Sequence, residues 1–273
     1  MRYAILSCIA LAASLLVGWL LTRAIGRGRP KPLARWAAAL LTLALGLSVM
    51  AAGMAAYLMR YAHAQEPALL ALEGSQSVAV SRTEEGYLFD GPGTETSLVF
   101  LPGAKVQAEA YAPLMLGLAE QGVDCHLIEA PLQMAPLASP RVDDVLSRDP
   151  GRRWVLAGHS LGGVVACSSA AAHAGEVEGV VLLASHPAVQ LPGNAWLLSV
   201  YGSEDGVLER DAYEDARDLW PSRSREVVIE GGNHAGFAYY GHQAGDGAAR
   251  LSAADQQDQT VRAIVDAIRA QEG

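Results

Sequence analysis

The chain opens with two long apolar segments and continues with short apolar runs that alternate with amphipathic ones. Residues 4–21 and 36–59 contain no charged side chain, and each run is long enough to cross the hydrocarbon core of a bilayer as a helix. The segment between them holds five basic residues and two helix-breaking prolines: Arg23, Arg27, Arg29, Lys31, Arg35, Pro30 and Pro32. The pattern predicts a membrane anchor over residues 1–64, built as a two-helix transmembrane hairpin.

The charge distribution predicts an orientation for this hairpin. Of the 20 basic and 29 acidic residues, seven basic and no acidic ones fall in 1–64, so that residues 65–273 carry a net charge of −16. The positive-inside rule places the basic loop in the cytoplasm and residues 65–273 outside it. We therefore expect a multi-pass protein of the cell membrane with an extracytoplasmic domain. Ala62-His63-Ala64 resembles a signal cleavage site, so processing after Ala64 remains open.

From residue 76 onward, short apolar runs alternate with helical patterns. The predicted strands are 76–81, 86–89, 97–101, 124–129, 154–157, 179–184, 195–201 and 225–229. The predicted helices are 108–120, 142–147, 164–170, 208–219 and 253–270. This alternation favours a mostly parallel sheet covered by helices on both faces, after an opening antiparallel hairpin. The 209 residues from 65 to 273 suffice for one such domain, and residues 65–75 are expected to tether it to the anchor.

The most informative motif is Gly158-His159-Ser160-Leu161-Gly162-Gly163, which follows one predicted strand and precedes a helix. A serine on a strand–turn–helix junction of this form is a nucleophile elbow. The glycines relieve crowding at the turn, and the helix N-terminus directs free N–H groups toward a developing oxyanion. The motif predicts Ser160 as a nucleophile. The alternative is a serine in a glycine-rich loop without chemistry.

A serine nucleophile requires a base and an acid that orients the base, and both follow in the expected order. Asp205 lies after the strand at 195–201, with Glu204 as its rival for the role of the acid. His234 lies in a glycine-rich loop after the strand at 225–229, where an imidazole can reach the serine. The order Ser, Asp, His is the one that accompanies this kind of elbow.

On these stretches the chain resembles the α/β-hydrolase superfamily, and within it the bacterial dienelactone-hydrolase-like (carboxymethylenebutenolidase-like) proteins. The matching stretches are 99–106, 158–163, 202–206, 232–237 and 240–247. True dienelactone hydrolases have a cysteine at the elbow where this chain has Ser160, so their substrate is not carried over. The resemblance implies serine esterase chemistry on an α/β-hydrolase fold. The connection 184–195 is too short for the cap domain that many relatives carry.

The resemblance also implies an oxyanion hole. Its first donor is the N–H of Leu161, which follows the nucleophile, and the loop after the strand at 97–101 supplies the N–H of Ala104. Tyr240 and His186 are candidate substrate contacts, because ligands bind at the carboxyl ends of strands in such sheets; ordinary packing or surface exposure is at least as good an explanation for both. Lys105, beside the oxyanion loop, is a third candidate, because a cation there would favour an anionic ester; the alternative is a lysine without a functional role.

Two further observations limit the functions that are compatible with the sequence. No cluster has metal-ligand spacing and no dinucleotide fingerprint is present, so no cofactor is expected, and the acidic domain disfavours nucleic acid. Cys125 and Cys167 are expected to be buried, and a disulfide between them is possible in an oxidising compartment.

Taken together, the motifs and the apolar segments predict a membrane-anchored serine hydrolase that cleaves a small-molecule or lipid-like carboxylic ester. A thioesterase, a lipase or an acyltransferase on the same triad, or a non-catalytic binding module, are the alternatives.

Overall fold

A computed structural model describes residues 2–27, 33–93 and 95–271. The chain divides into two compact units, Met1–Arg60 and Tyr61–Gly273. The first contains two long helices and the second an eight-stranded sheet with its covering helices. The predicted helix break at Pro30 and Pro32 lies outside the described residues.

The first unit is a pair of packed helices, α1 (Arg2–Arg27) and α2 (Arg35–Leu58). Their axes approach closely at a glycine, because a Cβ on Gly18 would lie 2.5 Å from the carbonyl oxygen of Thr42 and 2.7 Å from the nitrogen of Gly46. A hydrogen bond of 3.1 Å from the Thr42 hydroxyl to the Thr22 hydroxyl adds a polar contact. Small residues allow helix backbones to pack in this way.

The outer surface of this helix pair is apolar. Ala10–Arg27 and Arg35–Tyr57 are long and hydrophobic enough to cross a membrane, and only 17% and 6% of the residues in these windows are buried. Large side chains such as Trp36, Leu40 and Met54 are therefore exposed. A core helix of a soluble protein has the opposite arrangement, with its apolar stripe covered.

The second unit is built on one sheet. Its strands are β1 (Ala79–Arg82), β2 (Gly86–Asp90), β3 (Thr96–Leu101), β4 (Asp124–Ile128), β5 (Arg153–His159), β6 (Val177–Leu183), β7 (Trp196–Gly202) and β8 (Arg223–Ile229). Their order is β1-β2-β4-β3-β5-β6-β7-β8. The pairings of β1 with β2 and of β2 with β4 are antiparallel, and the other five are parallel. The predicted, mostly parallel sheet and its opening hairpin are confirmed.

Helices cover both faces of the sheet, as predicted. They are α3 (Glu66–Ala71), α4 (Ala112–Glu120), α5 (Ser139–Arg148), α6 (Leu161–Ala172), α7 (Arg210–Asp215) and α8 (Ala253–Arg269). Successive residues of β3 point to opposite faces, so Leu98 and Phe100 join the core layer beneath α4 and α8. Val99 and Leu101 join the other layer, beneath α5 and α6. Residues 184–195 form only turns and irregular structure, so no cap domain is inserted there.

Three expectations from the sequence are corrected by the structure. Residues 65–75 are not a free tether, since they contain α3 with Ala68 fully buried. The predicted helix 108–120 starts as a 3₁₀ turn over Ala108–Tyr111, and α4 then begins with Pro113 in its first turn, where a missing N–H costs nothing. The helix predicted over 208–219 is limited to α7 and a following 3₁₀ turn.

The possible disulfide is also excluded. Cys125 and Cys167 are buried free thiols. Cys125 belongs to the core layer beneath α4 and α8, and its thiol donates to the carbonyl of Val123. Cys167 belongs to the layer beneath α5 and α6, on the other face of the sheet. The sheet therefore separates the two sulfur atoms.

Candidate active site

The residues predicted to carry chemistry follow strands that run in the same direction. Ser160 comes after β5, Asp205 after β7, and His234 in the loop after β8. Ala104 lies in the loop after β3, which is the neighbour of β5 in the sheet. Because the carboxyl ends of parallel strands share one edge, all four residues lie along that edge.

Ser160 occupies a strained turn between β5 and α6. Its φ of 52° is unusual for a residue with a side chain, and its position at the start of α6 makes the turn sharp. The Ser160 N–H donates to the Leu183 carbonyl at 2.9 Å, and the Ser160 carbonyl accepts from the Ser185 hydroxyl at 2.7 Å. These bonds to β6 and to the residues after it hold the strained conformation.

Glycine at position 162 makes this turn possible. A Cβ at Gly162 would overlap the carbonyl oxygen of Leu101 and lie 2.5 Å from the carbonyl oxygen of Pro102. The first turn of α6 therefore packs directly against the backbone at the end of β3. This contact places the α6 N-terminus beside the loop that contains Ala104.

Asp205 and His234 form a buried pair. The His234 Nδ1 lies 3.0 Å from Oδ2 and 3.2 Å from Oδ1 of Asp205, and the two side chains are 2% and 0% exposed. The Oδ1 of Asp205 also accepts from the N–H groups of Val207 and Leu208. Burial by itself raises the pKa of Asp205, but the hydrogen bond and charge of His234 and the two N–H groups outweigh burial and lower this pKa below its usual value. The carboxylate is thus held ionised against the imidazole.

A buried glutamine fixes the loop that carries His234. The Gln256 side chain, from α8, accepts from the Asn233 N–H at 3.0 Å and donates to the Asn233 carbonyl at 2.8 Å. The amide therefore pairs with the backbone of Asn233 as a neighbouring strand would. Gly236 leaves the space for it, since a Cβ there would collide with the Gln256 Oε1. Gln256 was not predicted from the sequence, because it lies on a helix far along the chain from the histidine.

Tyr111 and His159, whose roles were also not predicted from the sequence, connect the elbow to the base. The imidazole rings of His159 and His234 have centroids 4.5 Å apart. The Gly103 N–H donates to the Tyr111 hydroxyl at 3.1 Å, and the same hydroxyl is hydrogen-bonded to the His159 Nδ1 at 2.7 Å. Burial and the neighbouring His234 lower the pKa of His159 well below its usual value, which keeps this imidazole neutral.

The backbone donors predicted for an oxyanion hole have no partner in the described part of the chain. Neither the Leu161 N–H nor the Ala104 N–H donates a hydrogen bond there. Leu161 is the first residue of α6, where N–H groups point out of the helix along its axis. The Leu161 N–H is therefore available to an oxygen atom near Ser160, and the part of Ala104 in the same oxyanion hole stays a prediction.

The three candidate substrate contacts have different environments. Tyr240 is buried in the core and its hydroxyl donates to Gln243, which is a packing role. Lys105 has a left-handed backbone with φ of 59°, and its N–H donates to the Gln133 carbonyl at 2.7 Å. His186 is partly buried, with its Nδ1 3.2 Å from the carbonyl oxygen of Pro187. Contact of any of them with a substrate stays a prediction. Within the described ranges, no group of three or more His, Cys, Asp or Glu is arranged to hold a metal ion.

Comparison with known proteins identifies the family and the fold. A sequence model described as the alpha/beta hydrolase family matches residues 97–258, more than half of the chain. No curated protein gives a significant match.

Several solved structures share the fold at low sequence identity. A predicted CIB-like hydrolase from Thermoplasma acidophilum is 17% identical with a TM-score of 0.53, over 71% of this chain and 99% of its own. The dienelactone hydrolase from Anabaena variabilis is 17% identical with a TM-score of 0.50, over 70% and 96%. Mouse alpha/beta hydrolase domain-containing protein 10 is 12% identical with a TM-score of 0.51, over 71% and 99%.

Proposed function

Because the chain belongs to the alpha/beta hydrolase family, we propose that it is a serine hydrolase that cleaves a carboxylic ester through an acyl-enzyme. The observation that carries this proposal is the buried Asp205–His234 hydrogen bond, which lies against the nucleophile elbow through the contact of His234 with His159. A hydrogen-bonded acid and base beside a strained serine is the arrangement that nucleophilic acyl transfer requires.

In the proposed mechanism, the Ser160 oxygen bonds to the ester carbonyl carbon while the Nε2 of His234 takes the serine proton. This Nε2 is buried and makes no hydrogen bond with the described residues, so it is available to that hydroxyl. The hydrogen bond between a catalytic base and its nucleophile commonly tightens only when substrate binds. Asp205 holds the Nδ1–H of His234 and stabilises the imidazolium that forms.

The tetrahedral intermediate places its negative oxygen against the N–H groups of Leu161 and Ala104. The loss of one such donor costs about 3–4 kcal/mol of transition-state stabilisation. The intermediate collapses when the bond to the leaving alcohol breaks and that oxygen receives the proton from His234. Water then attacks the acyl carbon and gives a proton to His234. The bond from this carbon to the Ser160 oxygen breaks, the oxygen takes the proton back from His234, and the carboxylic acid is released.

We further propose that the first unit anchors the protein in the cell membrane and that the ester is small or lipid-like. The support for anchoring is the exposed apolar surface of α1 and α2, which has no covering element in the described part of that unit. The basic residues between the helices support a cytoplasmic loop and an extracytoplasmic catalytic unit. Retention in the membrane pellet after alkaline carbonate extraction is expected, and release into the supernatant would contradict the anchor.

The proposed function is tested by fluorophosphonate labelling of the full chain in detergent. We expect the wild type to be labelled and Ser160→Ala to be unlabelled, with ester turnover lower on the order of 10⁶-fold and an unchanged melting temperature. Ser168→Ala is the matched control, because this exposed serine lies on α6 and its hydroxyl bonds only its own helix at Val164. The absence of labelling in folded wild-type protein, or labelling of Ser160→Ala at the wild-type rate, contradicts the proposal.

A further inference from the structure

We infer that Asp246 is a positioning residue for the proposed reaction, whose single carboxylate fixes the acid and the base relative to each other. The acid loop is defined as residues 202–208, which carry Asp205, and the base loop as residues 231–236, which carry His234. The inference rests on the proposed function. Asp246 itself lies outside both loops and acts on the reaction only through them.

Four backbone N–H groups converge on this carboxylate. From the base loop, the His234 N–H donates to Oδ1 at 3.1 Å and the Ala235 N–H to Oδ2 at 2.9 Å. From the acid loop, the Gly206 N–H donates to Oδ1 at 3.2 Å. The Gly247 N–H, from the segment of Asp246 itself, donates to Oδ1 at 2.9 Å. One side chain thus bonds the backbone of the base residue and the backbone of the residue after the acid.

The packing around Asp246 places it at the junction of the two loops. A Cβ on Gly206 would lie 2.5 Å from the Gly245 carbonyl oxygen and 3.0 Å from the Gly247 nitrogen. The segment 245–247 therefore lies in backbone contact with the acid loop. On its other side, the Asn233 side chain donates from Nδ2 to the Gly247 carbonyl at 2.8 Å. The segment is held by both loops at once.

Only a carboxylate fits all four donors. Each oxygen of an ionised carboxylate accepts hydrogen bonds and has no proton to donate. In Asp246→Asn an NH₂ group takes the place of one carboxylate oxygen, so the N–H groups that donated to that oxygen lose their acceptor. Bonds from N–H groups to an ionised acceptor are also stronger than neutral ones. The substitution Asp246→Asn therefore loosens the connection while keeping the size of the side chain.

A looser connection changes the chemistry because the Asp205–His234 bond spans the two loops. This bond is 3.0 Å long and sets the orientation of the imidazole. Displacement of a catalytic group by about 1 Å can reduce a rate on the order of 100-fold. A positioning defect reduces the rate of serine activation and leaves ground-state substrate binding unchanged, which separates it from a defect in the binding site.

The experiment compares Asp246→Asn with Asp124→Asn in the full chain in detergent. Asp124 is a matched control, because its carboxylate also accepts a backbone N–H, from Gly91 at 3.1 Å, and pairs with Arg152 at 3.2 Å. It is the first residue of β4, at the opposite edge of the sheet from the site. Both variants lose a carboxylate that joins backbone segments, but only Asp246→Asn affects the acid and base loops.

For Asp246→Asn we expect fluorophosphonate inactivation and kcat to fall about 10- to 100-fold, with KM for a p-nitrophenyl ester within about twofold of wild type. Asp124→Asn is expected to lower the melting temperature and to keep both rates within about twofold. If Asp246→Asn does not fold, Asp246→Glu replaces it, with an expected loss of about threefold to tenfold and the same unchanged KM.

Wild-type rates in the folded Asp246 variant, or an equal loss in Asp124→Asn, overturn the inference while the proposed function stands. A wild type that fluorophosphonate does not label overturns the proposed function itself, and the inference with it. The labelling of the wild type therefore separates the two failures.

Discussion

The nucleophile elbow and the base loop meet at one edge of the sheet, but they hold their functional side chains in different ways. Ser160 is fixed largely through the main chain: Gly162 lets the first turn of α6 pack directly on the backbone of Leu101 and Pro102, and the Ser160 N–H donates to the Leu183 carbonyl. His234 is fixed by side chains that come from elsewhere: Asp205, Asp246 and Gln256. The elbow depends mainly on close packing of the main chain, and the base loop depends mainly on hydrogen bonds from distant side chains.

This difference determines how each region responds to substitution. Overlap of a new side-chain atom with backbone cannot be relieved by a change of rotamer, so the main chain itself must shift. The loss of a hydrogen bond removes a support without forcing backbone segments apart, and it costs mainly the unsatisfied partner. We therefore expect changes at the elbow to have larger effects than changes at the supports of the base loop.

The largest effect is expected for Gly162→Ala. Its Cβ would meet the carbonyl oxygens of Leu101 and Pro102, so the start of α6 and the loop after β3 must separate. We expect the free energy of unfolding to fall by about 4 kcal/mol or more, a loss that is exceptional for one substitution. Chemical denaturation gives the stability and fluorophosphonate labelling gives the activity, which should be undetectable.

Gly193→Ala is the control for this prediction. Gly193 lies in the connection between β6 and β7, and a Cβ there has no neighbour within 4 Å. The control is expected to change stability by less than about 0.5 kcal/mol. Near-wild-type stability and labelling in Gly162→Ala would show that the elbow tolerates side-chain volume, against the steric account.

A smaller effect is expected for Gln256→Ala, which removes a support of the base loop. The N–H and carbonyl of the buried Asn233 would lose their partners, at a cost of about 2–4 kcal/mol of unfolding free energy. The base loop shifts, but no new atom collides with it as in Gly162→Ala. We therefore expect fluorophosphonate inactivation to slow about tenfold. Thermal or urea unfolding and the inactivation rate are measured on the same preparation.

The neighbouring residue is a matched control. Gln257 is also buried on α8, but neither atom of its amide makes a hydrogen bond with the described residues. Gln257→Met is therefore expected to leave stability within about 1 kcal/mol of wild type and the labelling rate unchanged. Equal losses in the two variants would mean that Gln256 contributes through helix packing and not through its bonds to Asn233.

The same contrast explains what the sequence could predict. The elbow is contiguous, so its glycines, its serine and the flanking strand and helix appear together, and the sheet confirms that context. Asp205 and His234 were predicted by their positions after strands, and the structure brings them into contact. Gln256 and Asp246 were not found, because a side chain that bonds a distant backbone N–H leaves no local pattern.

The errors in the predicted fold have a related cause. Residues 65–75 were expected to be a tether because they follow the apolar segment, but the residues that lead into α3 are held by long-range contacts that a linear pattern does not contain. The Gln65 N–H donates to the Tyr239 carbonyl at 2.8 Å, and the Ala62 N–H to the Lys105 carbonyl at 2.7 Å. Short helices gain their stability from such tertiary contacts and not from their own sequence.

The smallest effect is expected for Tyr111→Phe, which tests whether the elbow and the base loop are independent. The change removes one buried hydroxyl and leaves the Gly103 N–H and the His159 Nδ1 without their partner. We expect a loss of about 1–2 kcal/mol in stability and about a threefold slower inactivation. His159 remains packed against His234, so the base keeps its position.

The combination of Tyr111→Phe with Asp246→Asn then measures the coupling between the two regions. The two side chains share no hydrogen-bonding partner, so their effects on the inactivation rate should add within about 0.5 kcal/mol. A coupling above about 1 kcal/mol would mean that the contact between the His159 and His234 rings transmits displacement from one region to the other. The elbow and the base loop would then be one network, in which the contact between the two imidazole rings contributes to the inactivation rate.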